Sequence, residues 1–192
     1  MDRLDFIKEF IKRPGNIGAI APSSETLAMQ MIAPIDLSNI EAIVEYGAGT
    51  GVFTKFVSSR INKDKVMFFS FEIDEKLHNI SSQNVPDVEI IKDSAANICN
   101  QLANHGKTHT DAIISGLPWA VFPEEVQDEI LEATLKALKP GGIFTTFTYL
   151  HSYFLPAAIR IRSKLKKNFK EVKLSPVVWK NLPPAIVYWC KK

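Results

Sequence analysis

No stretch of the 192-residue chain approaches the ~20 consecutive apolar residues that a membrane-spanning helix requires. Cysteine is scarce. Cys99 and Cys190 are far apart, form no C-x-x-C pair and have no histidines at zinc-ligand spacing, which excludes a disulfide framework and a structural zinc site. The N-terminus, Met1-Asp2-Arg3-Leu4-Asp5, carries charges where a secretory signal would carry an apolar core. An excess of one charge is missing too: 23 Lys and Arg against 21 Asp and Glu leave a net charge of +2, far from the basic balance of a dedicated nucleic-acid binder. Internal repeats, low-complexity tracts and long linkers are absent. These absences predict one domain over residues 1–192, with a single core, soluble or peripheral and cytoplasmic.

What is present is alternation. Apolar runs at 41–46, 67–72, 88–91, 111–115 and 143–147 read as strands. Amphipathic stretches between them, at 52–61, 75–82, 95–103 and 124–138, read as helices. The last has Pro123 at its start and Lys139-Pro140-Gly141-Gly142 to end it. Strands separated by helices of this length predict right-handed βαβ units in a parallel, doubly wound sheet with helices on both faces. A helix over 155–168 follows, then strand-like runs at 169–174 and 185–190. The ten residues between those runs are too few for a helical crossover, so the two must pair antiparallel. The expected fold class is therefore α/β and Rossmann-like, with a mostly parallel sheet and a C-terminal antiparallel hairpin.

The stretch that carries most chemistry is Glu45-Tyr46-Gly47-Ala48-Gly49-Thr50-Gly51, where the first strand opens into a helix. Glycines permit a tight turn and close approach of backbone to a ligand. A dinucleotide fingerprint would place its third glycine at position 52, which is Val52; here it is Gly51. Glu45, two residues before the first glycine, would repel a pyrophosphate and attract a cationic amino-acid end or a sulfonium. That charge logic selects S-adenosylmethionine, with S-adenosylhomocysteine as product, over NAD. Glu72, followed by Ile73, ends the second strand, where a carboxylate can accept both ribose hydroxyls. Asp93 and Ser94 follow the third strand, near the expected adenine. Glu45, Gly47, Ala48, Gly49, Gly51, Glu72, Ile73, Asp93 and Ser94 are the expected cofactor residues.

The fourth strand runs into Ser115-Gly116-Leu117-Pro118-Trp119. This is similar to the Asn-Leu-Pro-Tyr motif of ribosomal RNA adenine dimethylases, with Ser115-Gly116 where the amide would lie. A resemblance over nearly the whole chain is to bacterial phospholipid N-methyltransferases, which methylate phosphatidylethanolamine. It is carried by Gly18 to Ser24, Glu45 to Thr54, Ser115-Gly116-Leu117-Pro118, Phe147-Thr148-Tyr149, and Asn181-Leu182-Pro183-Pro184-Ala185. The resemblance implies a class I methyltransferase of seven strands that binds its cofactor at Glu45, Gly47, Gly49 and Gly51 and lines its substrate entrance with the other segments. It implies methyl transfer to the headgroup amine of phosphatidylethanolamine or a related amino lipid. RNA adenine and small-molecule acceptors stay open on the residues alone. Trp119 and Tyr149 are candidate rings to hold an ammonium by cation–π contact, worth about 0.5–2 kcal/mol; as packing aromatics they would need no acceptor. His151 is a candidate proton acceptor, or simply exposed.

Two segments are candidates for contact with a membrane. Residues 1–40 are expected to be a helical segment that covers the active site or touches lipid. Within it, the part from Asp2 to Arg13 is amphipathic, with Leu4, Ile7, Phe10 and Ile11 on one face. The second is the basic cluster from Arg160 to Lys170, comprising Arg160, Arg162, Lys164, Lys166, Lys167 and Lys170, which suits anionic headgroups. Nucleic-acid phosphate and an ordinary solvated face are the alternatives. No metal ligand set is expected.

Overall fold

A computed structural model describes residues 24–192. Seven strands form one sheet in the order β3-β2-β1-β4-β5-β7-β6. They are β1 (Ala42–Tyr46), β2 (Met67–Phe71), β3 (Glu89–Ile91), β4 (Thr110–Ser115), β5 (Leu138–Tyr149), β6 (Glu171–Leu174) and β7 (Ala185–Lys191). The first five are parallel; β7 lies antiparallel between β5 and β6, as the short connection requires.

Both faces of the sheet are buried, because the central strands are apolar at consecutive positions. Val44, Tyr46 and Ile113 point to one face. They pack there with Phe69, Phe71, Phe144 and the helices α4 (Ile98–Asn104), α5 (Glu124–Ala137) and α6 (Pro156–Asn168). Ile43, Ala112 and Ile114 point to the other, against α1 (Glu25–Ile32) and α2 (Val52–Ser58). The remaining helix, α3 (Glu75–Asn84), follows β2 and is N-capped by Asp74, whose side chain accepts from the Leu77 N–H at 3.0 Å.

Several boundaries differ from expectation, among them that of α2, which ends at Ser58 and not at residue 61. Helix α5 stops at Ala137, and Lys139-Pro140-Gly141-Gly142 belongs to β5. The ladder slips there: Thr110 pairs with Leu138 but Ala112 pairs with Ile143. The bulged backbone leaves room only for glycine at 142, where a Cβ would lie 2.9 Å from the Lys139 carbonyl and 3.0 Å from that of Asp111. The helix expected over 95–103 starts as a 3-10 turn, Ala95–Asn97, before α4. The strand expected from Phe169 begins at Glu171, since Phe169 is spent as a buried helix cap stacked on Phe144. The amphipathic segment from Asp2 to Arg13 lies outside the described residues. Of the rest of residues 1–40, α1 packs on the sheet face beside β5 and β7, with Leu27, Ala28 and Met31 buried.

Candidate active site

The site lies at the carboxyl edge of the parallel strands, where β1 turns into α2. The turn is stitched to β2: the N–H groups of Gly47 and Ala48 donate to the Phe71 carbonyl at 2.8 and 3.0 Å. Gly47, Gly49 and Gly51 all have positive φ. At Gly51 (φ +86°) a Cβ would also meet Val85 Cγ2 at 2.9 Å, so both conformation and space demand glycine. At Gly49 (φ +57°) a Cβ would meet nothing within 4 Å. The backbone there is open to a ligand.

Two carboxylates converge on this turn. Glu45, the penultimate residue of β1, is fully buried. Its Oε2 accepts from the Thr54 hydroxyl at 2.6 Å, whereas its Oε1 has no hydrogen-bond partner. Burial pushes its pKa up to about 7, opposed by the Thr54 hydrogen bond and reinforced by Glu72. Glu72 accepts the Gly49 N–H at Oε2 (2.8 Å) and the Asp74 N–H at Oε1 (2.9 Å). Burial raises its pKa as well, against those two donors. The Ile73 N–H acts on the same carboxylate and lowers its pKa as the other two donors do. Two buried acids with an unpaired oxygen between them make a site short of positive charge.

The fourth-strand segment closes the other side. Gly116 N–H donates to the Tyr46 carbonyl at 2.8 Å, and a Cβ on Gly116 would sit 3.1 Å from the Gly47 carbonyl. Leu117 packs over Gly47. The ring of Trp119 does not face this space. It is 2% exposed, set against Phe122 and Phe144, with its indole N–H donating to Ser115 Oγ at 2.9 Å. Expectation is corrected here: the ring is enclosed by the core, where an acceptor ammonium would be desolvated, and Trp119 braces the turn through Ser115. Pro118 precedes the 3-10 turn Trp119–Val121 that this arrangement holds.

Tyr149 ends β5 and is half-buried, its hydroxyl shifted upward in pKa by burial. An aromatic series connects it to the glycine turn: Gly116 lies against Phe53, Phe53 meets Phe147 edge-on at 6.0 Å, and Phe147 meets Tyr149 at 5.4 Å. His151 is exposed and stacks on Tyr149, centroids 5.7 Å apart. The loop that carries Asn181 to Ala185 reaches the same edge, since the Leu150 N–H donates to the Pro184 carbonyl at 2.8 Å. Asn181 is buried and accepts the Ser24 N–H at 2.9 Å, so two segments remote in sequence meet beside Tyr149.

Other expected residues stand further out. Asp93 accepts from the Ser94 N–H (2.7 Å) and the Asn97 amide (2.8 Å), and Ser94 caps the 3-10 turn. Ile73 packs against the larger core cluster. Sequence reasoning missed Thr54, which holds Glu45, and Asp74, which holds Glu72 through its N–H. Asp74 was legible as a helix cap; Thr54 closes the segment from Glu45 to Thr54, in which nothing singled out its hydroxyl. The basic cluster is not one patch. Arg160 (4.0 Å) and Lys164 (3.0 Å) approach Glu124, and Lys164 also pairs with Asp128 at 2.5 Å. Arg162 lies over the Tyr153 ring. Lys166, Lys167 and Lys170 are exposed at the far end of α6, away from the site. No described helix is long and apolar enough to cross a membrane. Among the described residues no group of three or more His, Cys, Asp and Glu could hold a metal.

No protein-family profile matches the chain. It is 27% identical over 188 residues to an ornithine lipid N-methyltransferase of Singulisphaera acidiphila, covering 97% of this chain and 94% of the relative. Among solved structures it superposes on the O-methyltransferase TomG of Streptomyces achromogenes, in complex with S-adenosylmethionine, with a TM-score of 0.68 at 15% identity (100% of this chain, 91% of the other). It also superposes on the N-methyltransferase NodS of Bradyrhizobium japonicum, with a TM-score of 0.65 at 11% identity (88% and 95%). The chain thus has the Rossmann-like fold that these methyltransferase structures share, a seven-stranded sheet closed by an antiparallel hairpin.

Proposed function

We propose that the protein is an S-adenosylmethionine-dependent N-methyltransferase whose acceptor is the headgroup amine of phosphatidylethanolamine or a related amino lipid. The observation that carries the cofactor is the unpaired Oε1 of buried Glu45 beside Glu72 and an open Gly49. A cation is the ligand that relieves two neighbouring buried carboxyls, one of them with an oxygen unpaired. The ammonium and sulfonium of S-adenosylmethionine suit Glu45, and ribose hydroxyls suit the carboxylate of Glu72. A pyrophosphate suits neither.

The acceptor rests on likeness of nearly the whole chain to the ornithine lipid N-methyltransferase, whose named substrate also presents an amine on a lipid. When bound, the cofactor supplies a methyl already activated on a sulfonium, so the chain's work is alignment. Gly116 and Leu117 wall the glycine turn. Tyr149 offers a half-buried ring to the amine. His151, exposed and stacked on that ring, is placed to pass the amine's proton to water. An adenine acceptor is less well served, since Ser115 is buried and already accepts from the Trp119 indole, leaving no side-chain amide at the strand end.

The test is labelled methyl transfer from S-adenosylmethionine, with phosphatidylethanolamine vesicles, ornithine-lipid vesicles and RNA offered in parallel. Label is expected in an amine lipid. Label in RNA alone, or none in lipid from protein that binds the cofactor, overturns the acceptor.

A further inference from the structure

The last sixty residues, 133–192, contain twelve Lys and Arg and a single carboxylate, Glu171. They build β5, α6, β6 and β7, which together form one flank of the sheet, opposite the β3-β2 flank. Five of the twelve, Lys136, Lys139, Arg160, Lys164 and Lys173, are paired with acids, whereas Lys180 stands exposed on the loop at the carboxyl edge.

That same flank carries exposed apolar side chains where it reaches the carboxyl edge. Phe154 (77% exposed), Leu155 and Ile159 stand at the start of α6; Trp179 (70%) and Leu182 (76%) stand on the loop between β6 and β7. The two segments are joined by the Leu150–Pro184 hydrogen bond. Between residues 149 and 160, and again between 175 and 190, there is no acid at all, and the exposed Lys180 supplies positive charge. Asn181 is buried between Trp179 and Leu182 and anchors the loop, so the exposed residues project from a fixed base.

We propose that this edge docks on an anionic lipid bilayer, with Phe154, Trp179 and Leu182 entering the headgroup region and Lys180, exposed on the same loop, facing the lipid charge. Trp179, a ring with a polar N–H, is of the residue type that partitions to that depth, and Phe154 and Leu182 add apolar surface beside it. Each basic residue near an anionic surface contributes about 1 kcal/mol. Side chains that project separately from two segments match a yielding surface; a protein partner would need a continuous patch. Docking in this pose sets the mouth of the candidate site, at Tyr149, against the headgroups. The inference rests on the lipid-acceptor reading and adds the surface that meets the lipid.

Full-length protein is tested on vesicles of phosphatidylcholine with phosphatidylglycerol containing nitroxide-labelled lipid. Trp179 fluorescence is expected to be quenched, with W179F defining the background from Trp119 and Trp189. F154S/W179S, with an unchanged thermal melt, is expected to bind vesicles at least ~10-fold more weakly. It should lose methyl transfer to bilayer amine lipid while keeping it toward a soluble short-chain amine lipid. Vesicle-bound protein with unquenched Trp179, no binding to the vesicles, or a lipid-free dimer that F154S/W179S dissolves would each overturn the docking surface. Quenching of Trp179 without methylation of any lipid instead overturns the acceptor and leaves the surface standing.

Discussion

At the amino edge of the sheet, charge is paired. Lys107 reaches Glu41 at 2.7 Å, Lys139 pairs with Asp111, and the Lys192 ammonium donates to the carbonyls of Leu135 and Leu138. At the carboxyl edge, Glu45 is buried with an oxygen unpaired and rings stand in solvent. Both edges use buried acids on neighbouring strands, yet Asp111 and Glu45 are treated oppositely. Asp111 is also desolvated, but Lys139 and the N–H groups of Glu41 and Ala42 outweigh that and hold its pKa low. Glu45 has a threonine hydroxyl and a second acid, and its pKa rises. An edge whose polar groups are satisfied serves the fold. The unsatisfied edge is where we propose the cofactor binds.

Exchanging the treatments breaks the comparison. Glu45→Ala is expected to weaken S-adenosylmethionine binding by about 30-fold or more, since a desolvated charge partner is worth about 2–5 kcal/mol; isothermal calorimetry reads it, with little loss of Tm. Asp111→Ala is the mirror case. It strands two backbone donors and the Lys139 ammonium, costing about 1–3 kcal/mol of stability, read by urea unfolding, with methyl transfer unchanged in the surviving folded protein. The two variants should trade phenotypes completely. Tyr149→Ala sits below both, with a predicted 3- to 30-fold drop in kcat/KM for the amine lipid, the span of about 0.5–2 kcal/mol for an ammonium over a ring. Tyr149→Phe, which keeps the ring, should keep most activity.

Much of this was legible before any coordinates. Strands and the glycine turn announce themselves because burial on both sheet faces forces apolar runs, and because no other residue tolerates the backbone at Gly51. Glu45 and Glu72 were legible because strand ends in this topology point at one place. Trp119 misled because sequence distance from a strand end does not say which way a ring turns. The Ser115 hydroxyl and the Phe144 pocket decided that. The strand start at Leu138 was hidden by a Pro-Gly-Gly run whose bulge depends on the Asp111 carbonyl across the ladder. Arg160 and Lys164 looked like a free basic cluster because Glu124 and Asp128 lie in another helix. In each case a partner far along the chain decides, and no local pattern names it.

The finest test of the contrast is the pH dependence of the ligand-free protein. A carboxyl whose pKa is raised on folding, from an ordinary 4.5 to about 7 for Glu45, binds its proton more tightly folded than unfolded. Its contribution to stability is therefore complete below about 4.5 and is lost as pH rises through 7. Glu45→Gln removes that loss and should flatten Tm across this window. A residual cost of ~1 kcal/mol at neutral pH corresponds to a gain of roughly 2–4 °C in a domain of this size. Asp111→Asn should act in the opposite sense. Its lowered pKa adds stability above the ordinary carboxyl range that vanishes as pH falls through the folded value, so the variant loses most at neutral pH. Adding S-adenosylmethionine should reverse the slope for the native chain alone, because a bound cation pulls the Glu45 pKa back down. A Tm profile of Glu45→Gln that parallels the native one between pH 4.5 and 7 would show that the buried acid is already neutralised within the fold, and that the carboxyl edge is as satisfied as the amino edge.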